Sequence, residues 1–510
     1  MESVAHCSAS SIPGWMAPDA YSTAWIALVP GVHDLSRPAW PQALDYLLAH
    51  QLPDGGWGEP HIYYAHERTI STAAAVAALS QWLDPSGEHR CAIRRGLRAL
   101  HKYGRDLQHE PHEPVGFELL LPRLRAMLAV DYEAELPLAA WAPVEAASRQ
   151  KLALIERLEL DPRQQRAWWF SLEMLPAWQL ALLDDSILDD QGSIATSIGA
   201  TAAYLRARRL AGLDSPRAAR FLESVLELGG GSAPFCWPAE VYERVWIADG
   251  LRRGGVDPGD PQVQRLASAI KASWELNDPG LSSSDYFRVN DGDDTLVGFT
   301  VLNWSGLGAP EDAALAFWNE SHFRSYLDER TASVSANING LTALRNQPGF
   351  PHRDEAERLA AWLLDHRRDD GNFDDKWHFS PYYSLARAIG AFGGWRDDVA
   401  REAVGLLVEQ QREDGGWGWF ERSTLEETAH CVLGLNCARA LGLLVDAAPL
   451  QRAGRYFRLN AGRRPVERFW IGKTLFRPQR IVEATVSAAQ GVLARLEPAP
   501  PHMPQRTSAD

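Results

Sequence analysis

The chain has 510 residues, of which 45% are hydrophobic and 23% are charged, and its formal net charge at pH 7 is −15. The length suffices for two large domains, and the acidic balance argues against nucleic acid as a partner, because phosphate binding needs a basic surface. No apolar stretch approaches the roughly 20 residues of a membrane-spanning helix, and Met1 is not followed by a basic leader. The sequence therefore predicts a cytoplasmic protein without integral membrane contact.

A Gln-x-x-Asp-Gly-Gly-Trp-Gly motif occurs twice, at residues 51–58 and 411–418. Degenerate copies occur at residues 192–194 and 370–373, and each copy is followed by a segment of small residues. Repetition of a helix, a Gly-rich turn and a second helix predicts a helical repeat architecture. Because no strand-like alternation of any length occurs, the predicted fold class is all-α.

Four acidic residues in the segment 184–190 precede one of these degenerate turns, and we interpret them as a solvated turn. A Gly/Ser/Pro-rich run at residues 228–234 predicts a domain boundary. The Pro-rich segment from Pro498 to Asp510 predicts a disordered tail.

The segment 290–299 has three carboxylates within four residues, followed by an apolar helix. Asp291 and Asp294 are three residues apart and share one helix face, so Asp293 points elsewhere. Helix capping alone is the ordinary explanation of such a cluster. The alternative is that Asp293 faces a cavity while its two neighbours take the free N–H groups of the helix.

The chain also has twenty tryptophans. Core packing is their ordinary role, and a wall of aromatic faces that stabilises a cation is the alternative.

The segment from Asp291 to Thr295 resembles the D-x-D-D motif of class II terpene cyclases, and the Gln/Trp motifs resemble a second hallmark of that family. Further segments resemble copalyl-type diphosphate synthases in the same order along the chain: residues 21–25, 114–118, 237–246, 376–383 and 470–475. The resemblance implies two α-helical double-barrel (α/α) domains, called β and γ, in a monomer or homodimer. The β domain would comprise residues 1–30 and 236–497, and the inserted γ domain residues 31–235.

The resemblance implies cyclisation of a linear prenyl diphosphate, started by protonation and with the diphosphate retained. Asp293 would be the general acid, oriented and polarised by Asp291 and Asp294. Burial, like charges and a dry aromatic pocket are what such an acid needs, because an ordinary carboxyl is too weak to protonate an alkene. Geranylgeranyl diphosphate is the favoured substrate, giving a bicyclic labdane- or clerodane-type diphosphate. Farnesyl diphosphate, giving drimenyl diphosphate, and a non-enzymatic helical-repeat binding module are the alternatives.

Other site residues are implied in the same way. Asn337 or Asn339 would hydrogen-bond the acid, since two registers fit the family segment. The diphosphate would be approached by Lys151, with Lys473 and Arg68 as further candidates; a surface salt bridge is the alternative role of each. A Mg²⁺ cofactor would be held by Glu110 and Glu113. The aromatic candidates for the substrate pocket are Trp169, Phe170, Phe235, Tyr382, Tyr383, Trp417, Trp419 and Phe420.

Two of these rings bear on the product. In ent-copalyl synthases a His and an Asn hold the water that takes the final proton, and the matching segments here carry Phe170 and Phe235. A phenyl ring neither accepts a proton nor fixes a water. The sequence therefore predicts that the product is not ent-copalyl diphosphate and that another base ends the reaction, unless this alignment is displaced by one turn.

Overall fold

The computed structural model describes residues 12–82, 84, 86–110, 113–157, 165–277, 280–329, 331–444 and 446–496. Within these ranges the structure consists of α-helices with two very short hairpins, so the predicted all-α class is confirmed. The tail predicted from Pro498 to Asp510 lies outside the described residues. None of the described helices is long and apolar enough to cross a membrane.

The N-terminal half contains α1 (Ala20–Ala27), α2 (Gln42–Ala49), α3 (Ala65–Gln81), α4 (Glu88–Asp106), α5 (Phe117–Tyr132), α6 (Leu138–Arg157), α7 (Ala177–Ala181), α8 (Ile198–Leu210) and α9 (Pro216–Leu228). Short 3-10 turns occupy Leu107–His109, Glu133–Glu135, Ala167–Met174 and Asp185–Ile187.

The C-terminal half contains α10 (Glu240–Arg253), α11 (Pro261–Leu276), α12 (Gly292–Trp304), α13 (Glu311–Leu315), α14 (Val334–Arg345), α15 (Arg353–Asp365), α16 (Pro381–Phe392), α17 (Asp397–Glu409), α18 (Leu425–Ala440), α19 (Ala448–Leu459) and α20 (Gln479–Leu496). Strand β1 (Trp318–Asn319) pairs antiparallel with β2 (His322–Phe323), and β3 (Trp470–Ile471) with β4 (Leu475–Phe476).

The helices of the C-terminal half form a closed double layer. Each of α10, α12, α14, α16 and α18 packs against the next in this series, and α20 closes the ring by packing on α10. The intervening helices α11, α13, α15, α17 and α19 pack outside the ring. Because the inner helices are buried on most sides, they carry small and apolar residues around their whole circumference. This barrel places the starts of its inner helices at one end, where the acidic segment lies.

A second ring is formed in the N-terminal half by α1, α3, α5, the 3-10 turn Ala167–Met174 and α8. Every residue of α1 is buried, and its apolar residues belong to the N-terminal core. This packing differs from the predicted assignment of residues 1–30 to the C-terminal domain. Among residues 12–30, the part of this segment that the structure describes, Met16 alone belongs to the C-terminal core. The two cores meet between Ala233 and Phe235, next to the Gly-rich run.

The two Gln/Trp motifs have the same structural role in the two barrels. The indole N–H of Trp57 donates to the carbonyl of Leu47 at 2.7 Å, and that of Trp417 donates to Leu407 at 2.7 Å. Both acceptors lie in the last turn of an outer helix, where the carbonyls have no helical N–H partner four residues on. Each tryptophan therefore ties the end of an outer helix to the turn that leads into the next inner helix.

The barrels are joined by apolar and polar contacts around the β3–β4 hairpin. A small buried cluster unites Ile62 and Tyr64 of the N-terminal half with Phe469, Ile471 and Leu475. The backbone N–H of Val115 donates to the carbonyl of Gly472 at 2.8 Å. The hairpin is thus held by both halves.

Candidate active site

The acidic segment forms the start of α12. The carboxylate of Asp291 accepts the backbone N–H of Asp294 at 2.7 Å and so caps the helix. Gly292 allows a close approach of two chains, because a Cβ there would lie 2.3 Å from the carbonyl oxygen of Arg324. Asp291 and Asp294 are 8% and 3% exposed, whereas Asp293 keeps a larger accessible surface. Asp293 therefore differs in orientation from the two carboxylates that flank it.

A chain of hydrogen bonds holds Asp293. The amide nitrogen of Asn339 donates to its carboxylate at 2.8 Å, and the amide oxygen of Asn339 accepts from Arg387 at 2.8 Å. The other terminal nitrogen of Arg387 donates to Asp249 at 2.7 Å. The guanidinium fixes which end of the amide faces Asp293, so Asn339 presents its N–H₂ group to the acid.

Burial raises the pKa values of all three carboxyls. For Asp293 the pKa rises to about 7, with contributions from the charges of Asp294 and Asp375 and an opposing hydrogen bond from Asn339. Burial raises the pKa of Asp294 to about 6 against hydrogen bonds from Trp246 and Asp291, and it raises that of Asp291 well above its usual range. A carboxyl with a pKa near 7 is half protonated at neutral pH, which suits a proton donor.

Of the two asparagines predicted to contact the acid, only Asn339 does so. The side chain of Asn337 instead accepts the N–H of Phe323 at 2.6 Å and donates to the carbonyls of Phe323 and Ser333. It is fully buried and binds the backbone of β2 to α14. Two residues along a helix point to different faces, which explains why these two side chains separate.

Aromatic rings and one cation surround the acid. The indole N–H of Trp246 donates to Asp294 at 2.8 Å. The Trp246 ring lies 6.2 Å from Tyr383 and 5.5 Å from Trp470. Arg387 lies over the rings of Trp246 and Tyr383 at 4.7 and 4.9 Å. Trp246 and Trp470 were not predicted as site residues, although both lie in segments that resemble the family.

The other predicted pocket aromatics lie in different surroundings. Trp417 is fully buried and bound to Leu407, and Trp169 is 1% exposed within the N-terminal core. Both rings are thus packed in the interior, and their place in the substrate pocket stays a prediction. Tyr382 makes an edge contact with Trp419 at 6.2 Å. Phe420 stacks on Phe379 at 5.6 Å, near the contact between the barrels.

Phe170 and Phe235 lie in contact, although 65 residues separate them in the chain. Their ring centroids are 5.8 Å apart in an edge-to-face arrangement. Phe235 also packs on Phe476 at 4.7 Å and covers Gly472, where a Cβ would lie 2.7 Å from the ring. The fold thus brings together the two positions that align with the His and the Asn of ent-copalyl synthases.

The two weaker diphosphate candidates, Lys473 and Arg68, are both buried and have protein partners. Lys473 has no exposed surface, and its ammonium contacts the carboxylate of Glu173 at 2.5 Å and the hydroxyl of Ser197 at 2.7 Å. Arg68 is 6% exposed and donates to the carbonyl of Glu59 at 2.5 Å. Both cations are committed to interior partners, because an unpaired buried charge would cost several kcal/mol.

Lys151 reaches the surface, and its contact with the diphosphate stays a prediction. Its side chain is half exposed and forms an ion pair with Glu118. Glu110 accepts the N–H of Ala65, the first residue of α3, at 3.3 Å, and burial raises the pKa values of Glu110 and Glu113. Mg²⁺ commonly binds one or two carboxylates and completes its shell with water and substrate phosphate. These two carboxylates fit that pattern.

One cluster was missed by the sequence analysis. His378, Glu426 and His430 are all buried, and their ligating atoms lie within 4.8 Å of one another. The spacing of Glu426 and His430, four residues apart on α18, was the available signal. His378 comes from the segment before α16, so only the fold brings it to them.

The segment 184–190 is a turn, as interpreted: Asp184 accepts the N–H of Ser186 at 2.9 Å, and Asp189 accepts that of Ser193 at 2.9 Å.

The chain is similar to proteins of one kind along most of its length. A type B diterpene cyclase from Mycobacterium tuberculosis is 30% identical over 493 residues, covering 92% of this chain and 94% of that protein. A copalyl diphosphate synthase from Streptomyces anulatus is 31% identical over 515 residues, covering 94% of this chain and 89% of that protein. The solved structure of an ent-copalyl diphosphate synthase from Streptomyces platensis matches with a TM-score of 0.71 at 25% identity, covering 97% and 98% of the two chains. No family model matches.

These similarities extend over both barrels and therefore include the acidic helix start and the aromatic residues around it. With that geometry and this degree of identity, the chain belongs to the class II terpene cyclases.

Proposed function

We propose that this enzyme protonates and cyclises geranylgeranyl diphosphate to a bicyclic diphosphate, and that the diphosphate group is retained in the product. The observation that carries the proposal is the contact of Asn339 with Asp293, in a carboxyl cluster where burial raises the pKa of Asp293 to about 7. Relatives such as the copalyl diphosphate synthase of Streptomyces anulatus support the substrate class.

In the proposed mechanism Asp293 gives its proton to the terminal alkene of the substrate. Asp294 and Asp375 oppose the loss of that proton by like charge, while Asn339 holds the carboxyl in position. The faces of Trp246 and Tyr383 stabilise the positive charge as it moves through the forming rings. Folding the polyene against these rings makes each ring closure a nearly unimolecular step.

The diphosphate is an anchor in this proposal. Lys151, which reaches the surface, would contact it, and Glu110 and Glu113 would hold a Mg²⁺ ion beside it. The ion would neutralise diphosphate charge. Chelation with EDTA is then expected to weaken substrate binding, seen as a higher KM that added Mg²⁺ restores. Complete and irreversible loss of activity would contradict an anchoring role.

The contact of Phe170 with Phe235 supports two further parts of the proposal. Neither ring provides a base, so ent-copalyl diphosphate is not the expected product. Two bulky rings also shorten the space available to the substrate. Farnesyl diphosphate, the shorter substrate, with a drimenyl product is therefore the second candidate. Chiral chromatography of the dephosphorylated product against ent-copalol tests the first point, and a match would contradict it.

The direct experiment incubates the protein separately with geranylgeranyl and farnesyl diphosphate. The products are then treated with phosphatase and identified by mass spectrometry. A bicyclic alcohol that appears only after phosphatase treatment is expected, with the larger turnover on geranylgeranyl diphosphate. A hydrocarbon released without phosphatase would contradict retention of the diphosphate. Unchanged substrate in both incubations would contradict cyclase activity on these diphosphates.

A further inference from the structure

His378, Glu426 and His430 form a buried cluster beside the aromatic residues around the acid, and we refer to it as the His–Glu–His cluster. Tyr383 lies against both histidines, with ring centroids 4.4 Å from His378 and 5.1 Å from His430. The same tyrosine ring contacts Trp246 at 6.2 Å, and Trp246 binds Asp294. A chain of contacts through Tyr383 and Trp246 therefore links the acid motif to this cluster.

Hydrogen bonds commit His378 to its neighbours. Its Nδ1 lies 3.2 Å from both the backbone N–H and the carbonyl of Ser380, and its Nε2 is directed towards a carboxylate, which favours the proton on Nε2. That nitrogen faces the carboxylate of Glu426 at 3.5 Å, and the same carboxylate oxygen accepts the indole N–H of Trp470 at 2.8 Å. His378 thus orients Glu426 and has no free nitrogen.

His430 differs from His378 in having free nitrogens. Neither of its ring nitrogens has a hydrogen-bond partner among the described residues, although the residue is only 3% exposed. The hydroxyls of Tyr383 and Tyr242 also lack partners within the described part of the chain. Buried polar atoms in native proteins normally have partners, so such a group marks a place that a ligand or water completes.

We propose that His430 is the base that ends the cyclisation, an inference that rests on the proposed function above. It removes a proton from a carbon next to the cationic centre of the bicyclic intermediate. The C–H bond breaks, its electron pair forms the new C=C bond, and the proton moves to a ring nitrogen of His430. Because Asp293 gives one proton and His430 takes one, the net reaction is an isomerisation.

The charges around His430 fit this role. Burial lowers the pKa of His430 to about 4, so the imidazole is neutral and able to accept a proton near pH 7. The carboxylate of Glu426, 3.9 Å from Nε2, stabilises the imidazolium once it forms, whereas the charge of Arg253 opposes it. A weak base suffices here because a carbocation is a very strong acid. Phe170 and Phe235 offer no competing base.

The test compares His430→Gln and His430→Phe with the wild type, using geranylgeranyl diphosphate with Mg²⁺ and product analysis after phosphatase treatment. We expect formation of the wild-type product to fall about 100-fold. Double-bond isomers or alcohols formed by water capture should appear in its place, and KM should change little. His89→Phe, a partly buried histidine of α4, is the control and should leave the product unchanged.

Two results would overturn the assignment. One is an unaltered product ratio in variants that melt at the wild-type temperature. The other is a stoichiometric divalent metal in the wild type that His430→Gln loses, which would make the cluster a metal site. If the Phe variant fails to fold, the Gln variant decides, because its amide can still contact Glu426. If the wild type forms no cyclised product, the proposed function itself is refuted. If the wild type cyclises the substrate and the His430 variants give the same products, only the role of His430 as the base is refuted.

Discussion

At the scale of single residues, the proposed cyclisation depends on a proton held by Asp293. Two effects act on the pKa of its carboxyl in opposite directions. Burial raises this pKa to about 7, whereas the hydrogen bond from Asn339 lowers it. The hydrogen bond positions the carboxyl, while burial and the neighbouring charges of Asp294 and Asp375 keep its proton in place near neutral pH. Position and protonation are thus set by different neighbours, and each can be altered separately.

The first prediction concerns Asp293→Asn, which keeps the shape of the side chain but removes the acidic proton. Cyclisation should fall by at least about 100-fold. The pKa of Asp293 is raised in the folded state, so its contribution to stability is present below the unfolded pKa of about 4 and is lost as pH rises through about 7. The variant should therefore melt at or above the wild-type temperature at pH 8. Turnover near the wild-type rate would contradict the general-acid role. Asp291→Asn, the control within the motif, should retain more activity.

The second prediction compares the two asparagines. Asn339→Ala removes the hydrogen bond that lowers the pKa of Asp293, so the alkaline limb of the pH–rate profile should move to higher pH. Turnover should fall roughly 10- to 100-fold because the acid loses its orientation. Asn337→Ala should leave the limb in place and reduce the free energy of unfolding by about 1–3 kcal/mol, because backbone groups lose their partners. Identical pH profiles for both variants would contradict this division of roles.

At the scale of elements, the starts and ends of helices determine which residues reach the site. The acid motif and the Gln/Trp motifs were recognisable in the sequence because each is a continuous segment with strict spacing. The burial of Lys473 and Arg68 was not predictable, since their partners Glu173 and Glu59 depend on how segments meet across the fold. The hydrogen bond of Trp417 was not predictable for a related reason: the sequence does not show that its indole points to the end of α17.

The third prediction follows from that indole contact. Trp417→Phe removes the hydrogen bond to Leu407 and should lower the free energy of unfolding by about 1–3 kcal/mol. Trp57→Phe, the matched change in the other barrel, should cost a similar amount. The product profile should be unchanged in both, measured by chromatography after phosphatase treatment. An altered product in Trp417→Phe but not in Trp57→Phe would indicate that Trp417 lines the substrate pocket.

At the scale of the whole molecule, the two barrels share the β3–β4 hairpin. Val115 and the cluster around Tyr64 bind it from the N-terminal half, and the fully buried pair of Lys473 and Glu173 adds an interior ion pair. The all-α class and the approximate boundary near residue 235 were predicted from the repeats and the Gly-rich run. The membership of α1 in the N-terminal barrel was not, because a short apolar helix gives no sign of which core it enters.

The fourth prediction tests this connection. Lys473→Met leaves the carboxylate of Glu173 buried without its cation and should reduce the free energy of unfolding by about 3–5 kcal/mol. The double variant Lys473→Met with Glu173→Leu should recover much of that loss, as measured by denaturant unfolding. It should also turn over with a KM close to that of the wild type. A KM that stays raised in the double variant would show that Lys473 contacts the diphosphate.

The most direct test of proton-initiated cyclisation is a reaction of the wild type in D₂O with a count of released diphosphate. Equilibrated with D₂O, Asp293 should deliver one deuteron to the terminal alkene, so the dephosphorylated product gains one mass unit at the carbon that is protonated first. Inorganic diphosphate should stay at the level of an enzyme-free control. A cyclic product without deuterium, or one accompanied by an equal amount of free diphosphate, would contradict the account.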